Sequence, residues 1–259
     1  MVVWCAGAVA AADPTPPAQL VVTSTTPRPG TSSTVTFDAA LDLDFNFGGM
    51  QRITKSKRSK KKKVEIVGVG ADGSVEKRIT YTKHDSEIVV DGQKQPDPTP
   101  VRGKTYRVTW KDGVVGVRAA DGKPVSDAEA AAVREEESQL QTPELLGKAL
   151  STVRLVEGQP FEVPIAALEK MMSGPFRPKR LVLTYRGNVP DGARIDAVGT
   201  LANEAGGTKF YLDLKAELVI DTTGWCRSAK VTGQVRVELN GSVVGSGAGT
   251  GTITASPLR

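Results

Sequence analysis

Hydrophobic and polar residues alternate along a stretch near the start of the chain, STVTFDAALDLDFNF. Its apolar positions are every second residue, namely Val35, Phe37, Ala39, Leu41, Leu43, Phe45 and Phe47. Two residues is the side-chain period of a β-strand, so the stretch predicts one long strand with an apolar and a polar face. About 14 residues span roughly 45 Å, a length more typical of a curved sheet than of a compact sandwich.

Turn signals separate many further strand-like segments. Dipeptides such as Asp91-Gly92 and Asn240-Gly241 favour the positive φ angles of tight hairpins. Strands linked by hairpins form antiparallel sheets. The sequence therefore predicts a mainly β fold of one or more antiparallel, curved sheets. Whether the strands before and after the middle of the chain form two related β halves stays open.

A helical insert interrupts the strand pattern. Ser126 and Glu129 form a capping box that predicts a helix to about Gln141. A second helix is predicted from Thr142, and a third over residues 164–172. The second has an apolar stripe of Leu145, Leu146, Ala149, Leu150 and Val153. We expect this stripe to pack on the apolar face of the long strand, near Leu41, Leu43 and Phe45.

The first twelve residues have the pattern of a secretory signal peptide. They are uncharged, small or apolar, and end in Ala10-Ala11-Ala12, which predicts cleavage after Ala12. A signal peptide usually starts with basic residues, and these twelve residues contain none, so we expect the signal to start further upstream. Lipid anchoring at Cys5 is a minor alternative, since Trp4 stands where a small residue is needed. The sequence predicts a secreted or periplasmic protein.

These patterns divide the chain into five parts. They are a signal peptide (1–12), a Pro-rich leader (13–33), a first β half (34–125), the helical insert (126–174) and a second β half (175–259). After cleavage Cys226 would be the remaining cysteine, and its strand-like surroundings predict a buried, unreactive thiol. No apolar run after residue 12 approaches the length of a membrane-spanning helix.

The net charge of +5 comes from one segment. Eight basic residues and no acidic ones lie between Arg52 and Lys63, and the other residues comprise 26 basic and 29 acidic ones. The segment lacks the interleaved aromatic residues typical of single-stranded nucleic-acid sites, so nucleic acid is not the favoured partner.

This basic segment has two interpretations. It is either a solvated hairpin tip or sheet edge, or a surface that binds anionic lipids, lipopolysaccharide or nucleic acid. In the second interpretation the binding residues are Lys55, Lys57, Arg58, Lys60, Lys61, Lys62 and Lys63.

Several motifs resemble catalytic or nucleotide-binding sites but fit structural roles better. GVGADG precedes a strand-like segment, not a helix, so it predicts a hairpin. GSGAGTG lies in period-two sequence, where glycines let a strand approach large side chains. His84, the single histidine, is predicted in a solvated turn, and Glu135–Glu137 on the exposed face of a helix. We predict no catalytic residue, metal site or cofactor.

The layout resembles uncharacterised bacterial envelope proteins of the secreted or periplasmic β-rich type. The resemblance rests on GKTYRVTWKDGVVGVRAADGKPVSD leading into a helix, and on VEGQPFEVP before the second β half. More distantly, the chain is similar to periplasmic lipoprotein carriers, whose curved sheets hold acyl chains. These resemblances imply a non-enzymatic protein that binds a lipid or other apolar ligand between sheet and helices. The expected contacts are Leu41, Leu43, Phe45, Leu146 and Leu150. A hydrolase with an unrecognised site is the alternative, and oligomeric state is not predicted.

Overall fold

The structure is a computed structural model that describes residues 18–23, 28–47, 49–72, 74–96, 100–111, 114–139, 150–151, 153–171 and 176–256. The predicted signal peptide, Cys5, Leu145 and Leu146 lie outside these residues. The elements are β1 (Gln19–Val21), β2 (Ser32–Phe47), β3 (Met50–Val69), β4 (Val75–Val90), β5 (Gln93–Lys94), β6 (Thr105–Lys111), β7 (Val114–Ala119), α1 (Asp127–Gln139), β8 (Arg154–Val156), β9 (Pro160–Glu162), α2 (Ile165–Met171), β10 (Arg177–Val189), β11 (Gly192–Ala205), β12 (Thr208–Ile220), β13 (Cys226–Leu239) and β14 (Ser242–Ala255).

Twelve of the described strands form one antiparallel, curved, unclosed sheet, which confirms the predicted fold class. Its order is β7-β6-β4-β3-β2-β14-β13-β12-β11-β10-β9, with β5 paired to β4, and β1 pairs separately with β8. The two predicted β halves join in one sheet, because the C-terminal strand β14 pairs with β2. The predicted long strand is β2, which has 16 residues.

The basic segment lies within β3, the longest strand of the sheet, between β2 and β4. The interpretation as a hairpin tip or sheet edge is therefore wrong. Val64 and Ile66 are buried on one side of β3. The same two-residue alternation extends toward the N-terminus through Lys62 and Lys60, so these two lysines share the buried side of the strand. Sequence reasoning missed this because a run of lysines hides a period of two.

Tight turns join several neighbouring strands, as the dipeptides predict. Asp91 and Gly92 have φ angles of 50° and 80°, and Asn240 and Gly241 have 51° and 82°. Both central residues are thus in the left-handed region that a two-residue hairpin of this kind requires. His84, by contrast, is not in a turn: β4 runs through it from Val75 to Val90.

Two helices of the described residues, α1 and α2, pack on the sheet, and both were predicted. The α1 helix begins after Ser126, whose hydroxyl accepts a hydrogen bond from the Glu129 amide at 3.3 Å; Oε2 of Glu129 in turn accepts hydrogen bonds from Ser126. It lies against β7, and α2 lies against β10. Both helices are on one side of the sheet, called here the helix-bearing face, because directly opposed residues of antiparallel strands share a face.

A buried apolar cluster lies under each helical region. At the β7 end, Val133 of α1 packs with Ile79, Tyr81, Tyr106 and Val108. At the β10 end, the cluster comprises Leu20, Val22, Leu150, Leu155, Val163, Leu168, Leu183, Tyr185, Ala193, Ile195, Ala197 and Ile220. Leu150 and Val153 of the predicted stripe therefore pack at this second end, and not near Leu41, Leu43 and Phe45 as we expected.

Candidate ligand-binding face

The central part of the helix-bearing face is an apolar surface that neither buried cluster includes. We call this surface the apolar floor. It consists of Leu41, Leu43 and Phe45 of β2, Leu212 and Leu214 of β12, and Val235 of β13, and each of these side chains is half-buried. Strand pairing places the six on one face, because β12, β13, β14 and β2 are consecutive neighbours in the sheet. The predicted ligand contacts Leu41, Leu43 and Phe45 are thus brought together.

Glycines of β14 make this floor low and smooth. Gly245 lies opposite Phe45, and Gly247 lies opposite Leu43. A Cβ atom at Gly247 would lie 2.5 Å from Cδ2 of Leu43, and one at Gly245 would collide with the Phe45 ring. The side chains from β2 therefore lie across the glycine strand, as predicted for GSGAGTG. The result is a broad apolar surface without projecting side chains along its centre.

The β7 end of the same face contains a buried charge cluster, formed by Lys60 and Lys62 of β3, His84 of β4, and Glu136 and Glu137 of α1. The Lys60 ammonium donates a hydrogen bond to Glu136. Nζ of Lys62 lies 2.5 Å from Oε1 of Glu137, and Nε2 of His84 lies 2.6 Å from Oε1 of Glu136. Each of these residues except Lys60 is buried. The predictions of a solvated His84 and of a wholly exposed Glu135–Glu137 face are therefore wrong.

The helix α1 is attached to the sheet largely through its acidic residues. Glu129, Glu136 and Glu137 fall on the side of the helix that also carries Val133, because residues seven or eight apart share a face. The Glu129 carboxylate accepts hydrogen bonds from Lys104 at 2.7 Å and from the Tyr106 hydroxyl at 3.0 Å. The sequence signal that could have revealed this was the spacing of these acids around Val133, matched by alternate lysines on a strand.

The electrostatics of the cluster follow from its burial and its charges. Burial alone would raise the pKa of Glu136, but the hydrogen bond from His84 and the positive charges of Lys62 and Lys60 outweigh it and lower the pKa to about 2. Burial also raises the pKa of Tyr81 far above its ordinary value, an effect that the Glu137 and Glu136 carboxylates strengthen. The Glu136 carboxyl group is therefore held in its charged form at neutral pH.

This cluster has the geometry of a structural clamp. In the described part of the chain, the side-chain partners of His84 are Glu136 and the Tyr81 ring, so its imidazole contacts no Ser or Cys nucleophile. Nδ1 of His84 is buried without a hydrogen-bond partner among the same residues. Over the described ranges, no group of three or more His, Cys, Asp or Glu residues is placed to hold a metal ion.

The remaining basic residues of β3 divide between the two faces of the sheet. Lys55, Lys57, Lys61 and Lys63 lie on the polar face, where Lys55 pairs across the strands with Asp42. Arg58 lies on the helix-bearing face with Lys60 and Lys62. The basic segment is thus not one continuous cationic surface.

The other sequence candidates have structural surroundings. Cys226 is a buried free cysteine, and burial, together with the nearby Asp221 carboxylate, raises the pKa of its thiol to about 11. This confirms the predicted burial of the thiol, and the raised pKa disfavours the reactive thiolate at neutral pH. Gly68 lies in β3 and Gly70 follows it, so the segment GVGADG leads into the strand β4 and not into a helix, as predicted. Among the described helices, none is long and apolar enough to cross a membrane.

Comparisons with known proteins assign no family to the chain. No family model and no curated protein matches the sequence. Among solved structures, one of lipid–protein interactions in lipovitellin is similar over 90% of this chain and 26% of that chain, with 11% identity and a TM-score of 0.49. The chain therefore spans about a quarter of that lipovitellin chain.

Two further solved structures are more distant. DynF from the dynemicin biosynthesis pathway of Micromonospora chersina is similar over 96% of this chain and 92% of its own, with 8% identity and a TM-score of 0.26. A DUF1329 family protein from Desulfovibrio piger is similar over 87% and 85%, with 13% identity and a TM-score of 0.18. Similarities at this level assign no ligand, so a functional proposal has to rest on the face itself.

Proposed function

We propose that this protein is a non-enzymatic binding protein that holds a lipid or other apolar ligand on its apolar floor. The observation that carries the proposal is that Leu41, Leu43 and Phe45 are only half-buried beside the half-buried Leu212 and Leu214. A ligand that covers such apolar surface and removes it from water is stabilised by about 25 cal/mol per Å² of surface buried. Contiguous apolar patches on soluble proteins typically mark binding or interaction sites.

The opposite face of the sheet is polar where the floor is apolar. In the row of the sheet next to Leu43 and Val235, the opposite side carries Asp42, Ala248 and Gln234. A long antiparallel sheet needs only one covered face, and its other face can stay in water. Here the face that should be covered is covered at both ends by buried clusters, and its centre is only half-buried in the part of the chain that the structure describes.

The predicted export of the protein fits this proposal, whereas the predicted contact Leu146 lies outside the described residues. Export to the periplasm or the outside of the cell would place the floor near membrane lipids. In that setting the ligand would be an acyl chain. A long, extended chain fits an extended row of leucines better than it fits a compact pocket.

The test is binding of a neutral apolar dye, N-phenyl-1-naphthylamine, followed by its fluorescence and by displacement with a long-chain alcohol. We expect Leu43→Asn to weaken dye binding about tenfold, because it places an amide in the middle of the floor. The matched control is Val198→Asn, a similar change on the polar face, where Val198 is 52% exposed. The control should bind dye as the unmodified protein does.

Two results would overturn the proposal. One is an unmodified, folded protein that binds neither dye nor alcohol. The other is equal binding by both variants, which would place the dye elsewhere. Sedimentation of the same samples shows whether a second copy covers the floor, and a dimer that dissociates in Leu43→Asn without any dye binding would replace the lipid by a protein partner.

A further inference from the structure

A row of polar and cationic side chains runs beside the apolar floor on the same face. Cross-strand pairing sets Arg52, Thr54, Ser56 and Arg58 of β3 directly opposite Phe45, Leu43, Leu41 and Ala39 of β2. Neighbouring strands are about 4.8 Å apart, so each polar side chain stands next to an apolar one along roughly 20 Å of strand. The floor therefore has one border that is suited to a polar group.

The cations on this border differ in whether they are neutralised. Lys60 and Lys62 are paired with Glu136 and Glu137. Nε of Arg52 lies 3.5 Å from Oδ2 of Asp91. Arg58 is exposed and has neither a carboxylate nor a hydrogen-bond partner among the described residues, which makes its guanidinium the available cation at the edge of the floor.

The position of Arg58 along the strand strengthens this distinction. It stands one step from Lys60 and the charge cluster on one side, and one step from Ser56, whose cross-strand partner is Leu41, on the other. On the helix-bearing face β2 contributes no acidic residue, whereas on the polar face it contributes Asp38, Asp42 and Asp44. A negative group bound at Arg58 would thus meet no carboxylate from β2.

Resting on the proposed function, we infer that the ligand is an anionic amphiphile whose acyl chain lies on the apolar floor and whose head group binds Arg58. A guanidinium binds carboxylate and phosphate oxygens through two parallel N–H donors, and charge-assisted hydrogen bonds of this kind are about twice as strong as neutral ones. The Ser56 hydroxyl, in the next row, is a further donor within the same border. A fatty-acid carboxylate and a phospholipid phosphate share this chemistry.

The test compares an acid with its own ester. Dansyl-undecanoic acid and its methyl ester share chain and fluorophore and differ in one negative charge. We expect the unmodified protein to bind the acid at least about tenfold more tightly than the ester. Arg58→Gln should abolish that preference by weakening acid binding while leaving ester binding unchanged, since Arg58 is exposed and its loss should not disturb the core.

The matched control is Lys57→Gln, which removes one exposed positive charge from the adjacent residue on the opposite face. It should keep the preference for the acid. Equal affinity for acid and ester, or equal losses in Arg58→Gln and Lys57→Gln, would overturn the inference but leave the proposed function standing. Failure of the unmodified protein to bind the ester or any neutral probe would instead contradict the proposed function.

Competition distinguishes the two sources of the anionic head group. Oleate and oleoyl lysophosphatidate have the same acyl chain, and either one supports the site if it displaces the bound acid from the unmodified protein at a lower concentration than oleyl alcohol does, an advantage that should be lost in Arg58→Gln. The one that displaces at the lower concentration identifies the head group. Displacement by oleyl alcohol at the same concentration as both acids would contradict a head-group contact at Arg58.

Discussion

Lys62 and Glu137 form an ion pair in the interior of the molecule, 75 residues apart in sequence and 2.5 Å apart between Nζ and Oε1. The Lys62 ammonium also lies 4.0 Å from Oε2 of Glu136 and 5.7 Å from the centre of the Tyr81 ring. It joins the longest strand of the sheet to α1, whose inward side carries Glu136 and Glu137 beside the apolar Val133. Removing one charge would leave the other buried and unpaired.

We therefore expect Lys62→Met to destabilise the protein by about 3–5 kcal/mol, the usual cost of breaking a buried ion pair from one side. Chemical denaturation followed by circular dichroism measures this free energy of unfolding. Lys61→Met is the matched control, since Lys61 is the next residue on the exposed side of the same strand. It should change the free energy of unfolding by less than about 1 kcal/mol.

A double variant tests whether the pair itself is needed. Lys62→Met combined with Glu137→Leu removes both charges and keeps the apolar volume, so it should recover most of the stability lost in Lys62→Met. A double variant as unstable as the sum of its single variants would show that Lys62 and Glu137 act independently, contrary to the geometry.

Glu136 makes the stability of the fold depend on acidic pH. Its pKa is lowered from an ordinary 4.5 to about 2. Because the folded pKa lies below the unfolded one, this contribution is fully present above about pH 4.5 and is lost as pH falls toward 2. A lowering of this size corresponds to about 3 kcal/mol. The free energies of unfolding of the unmodified protein and Glu136→Gln should therefore differ at pH 7 and converge near pH 2.

The control for this pH dependence is Glu217→Gln, which removes a carboxylate from the exposed side of β12. Its free energy of unfolding at pH 7 should stay within about 0.5 kcal/mol of that of the unmodified protein, as is usual for an exposed surface substitution. If the difference between Glu136→Gln and the unmodified protein does not change between pH 7 and pH 2, the pKa of Glu136 is not lowered by folding, and the charge cluster is not the source of the effect.

The fold could be predicted because local signals and tertiary packing agree. The apolar alternation of β2, the turn dipeptides and the Ser126–Glu129 capping box each specify their own element, and each element is present. The basic part of β3 could not be predicted, because Lys60 and Lys62 are buried by partners on α1. A strand stabilised by ion pairs with a distant helix has no apolar pattern of its own.

The candidate site was predicted in part for the same reason. The spacing of Leu41, Leu43 and Phe45 predicts that they share one face of a strand. Leu212, Leu214 and Val235 are added to that face only by strand pairing, which the sequence does not show. His84 illustrates the reverse error: its polar neighbours in sequence indicated a turn, but β3 and α1 bury it. Sequence neighbours describe the environment of a strand residue poorly, because its closest contacts lie on other strands and helices.

Export is a prediction from the sequence that can be tested directly. Protein recovered from outside the cytoplasm should begin at Asp13, because small residues at Ala10 and Ala12 fit the requirements of signal cleavage. Intact-mass measurement reads this start. Ala12→Tyr should block processing, while Ala11→Tyr, at the position between the two small residues, should be processed. A processed Ala12→Tyr chain would place the cleavage site elsewhere.

The apolar floor makes a last prediction, about two glycines of the same strand and face. At Gly247 a Cβ would lie 2.5 Å from Cδ2 of Leu43 and collide with the carbonyl oxygen of Asp42, a backbone atom that cannot move away cheaply. At Gly251 the nearest atom to a Cβ would be 3.7 Å away, which is ordinary contact. Gly247→Ala should therefore destabilise the protein by about 1–3 kcal/mol and shift Leu43. Gly251→Ala should be neutral or stabilising by up to about 1 kcal/mol, since it reduces the freedom of the unfolded chain.

Thermal and denaturant unfolding of both variants measure this difference. Equal stability would mean that the β2 side chains do not lie across β14, and the floor would then not have the smooth surface on which ligand binding is proposed.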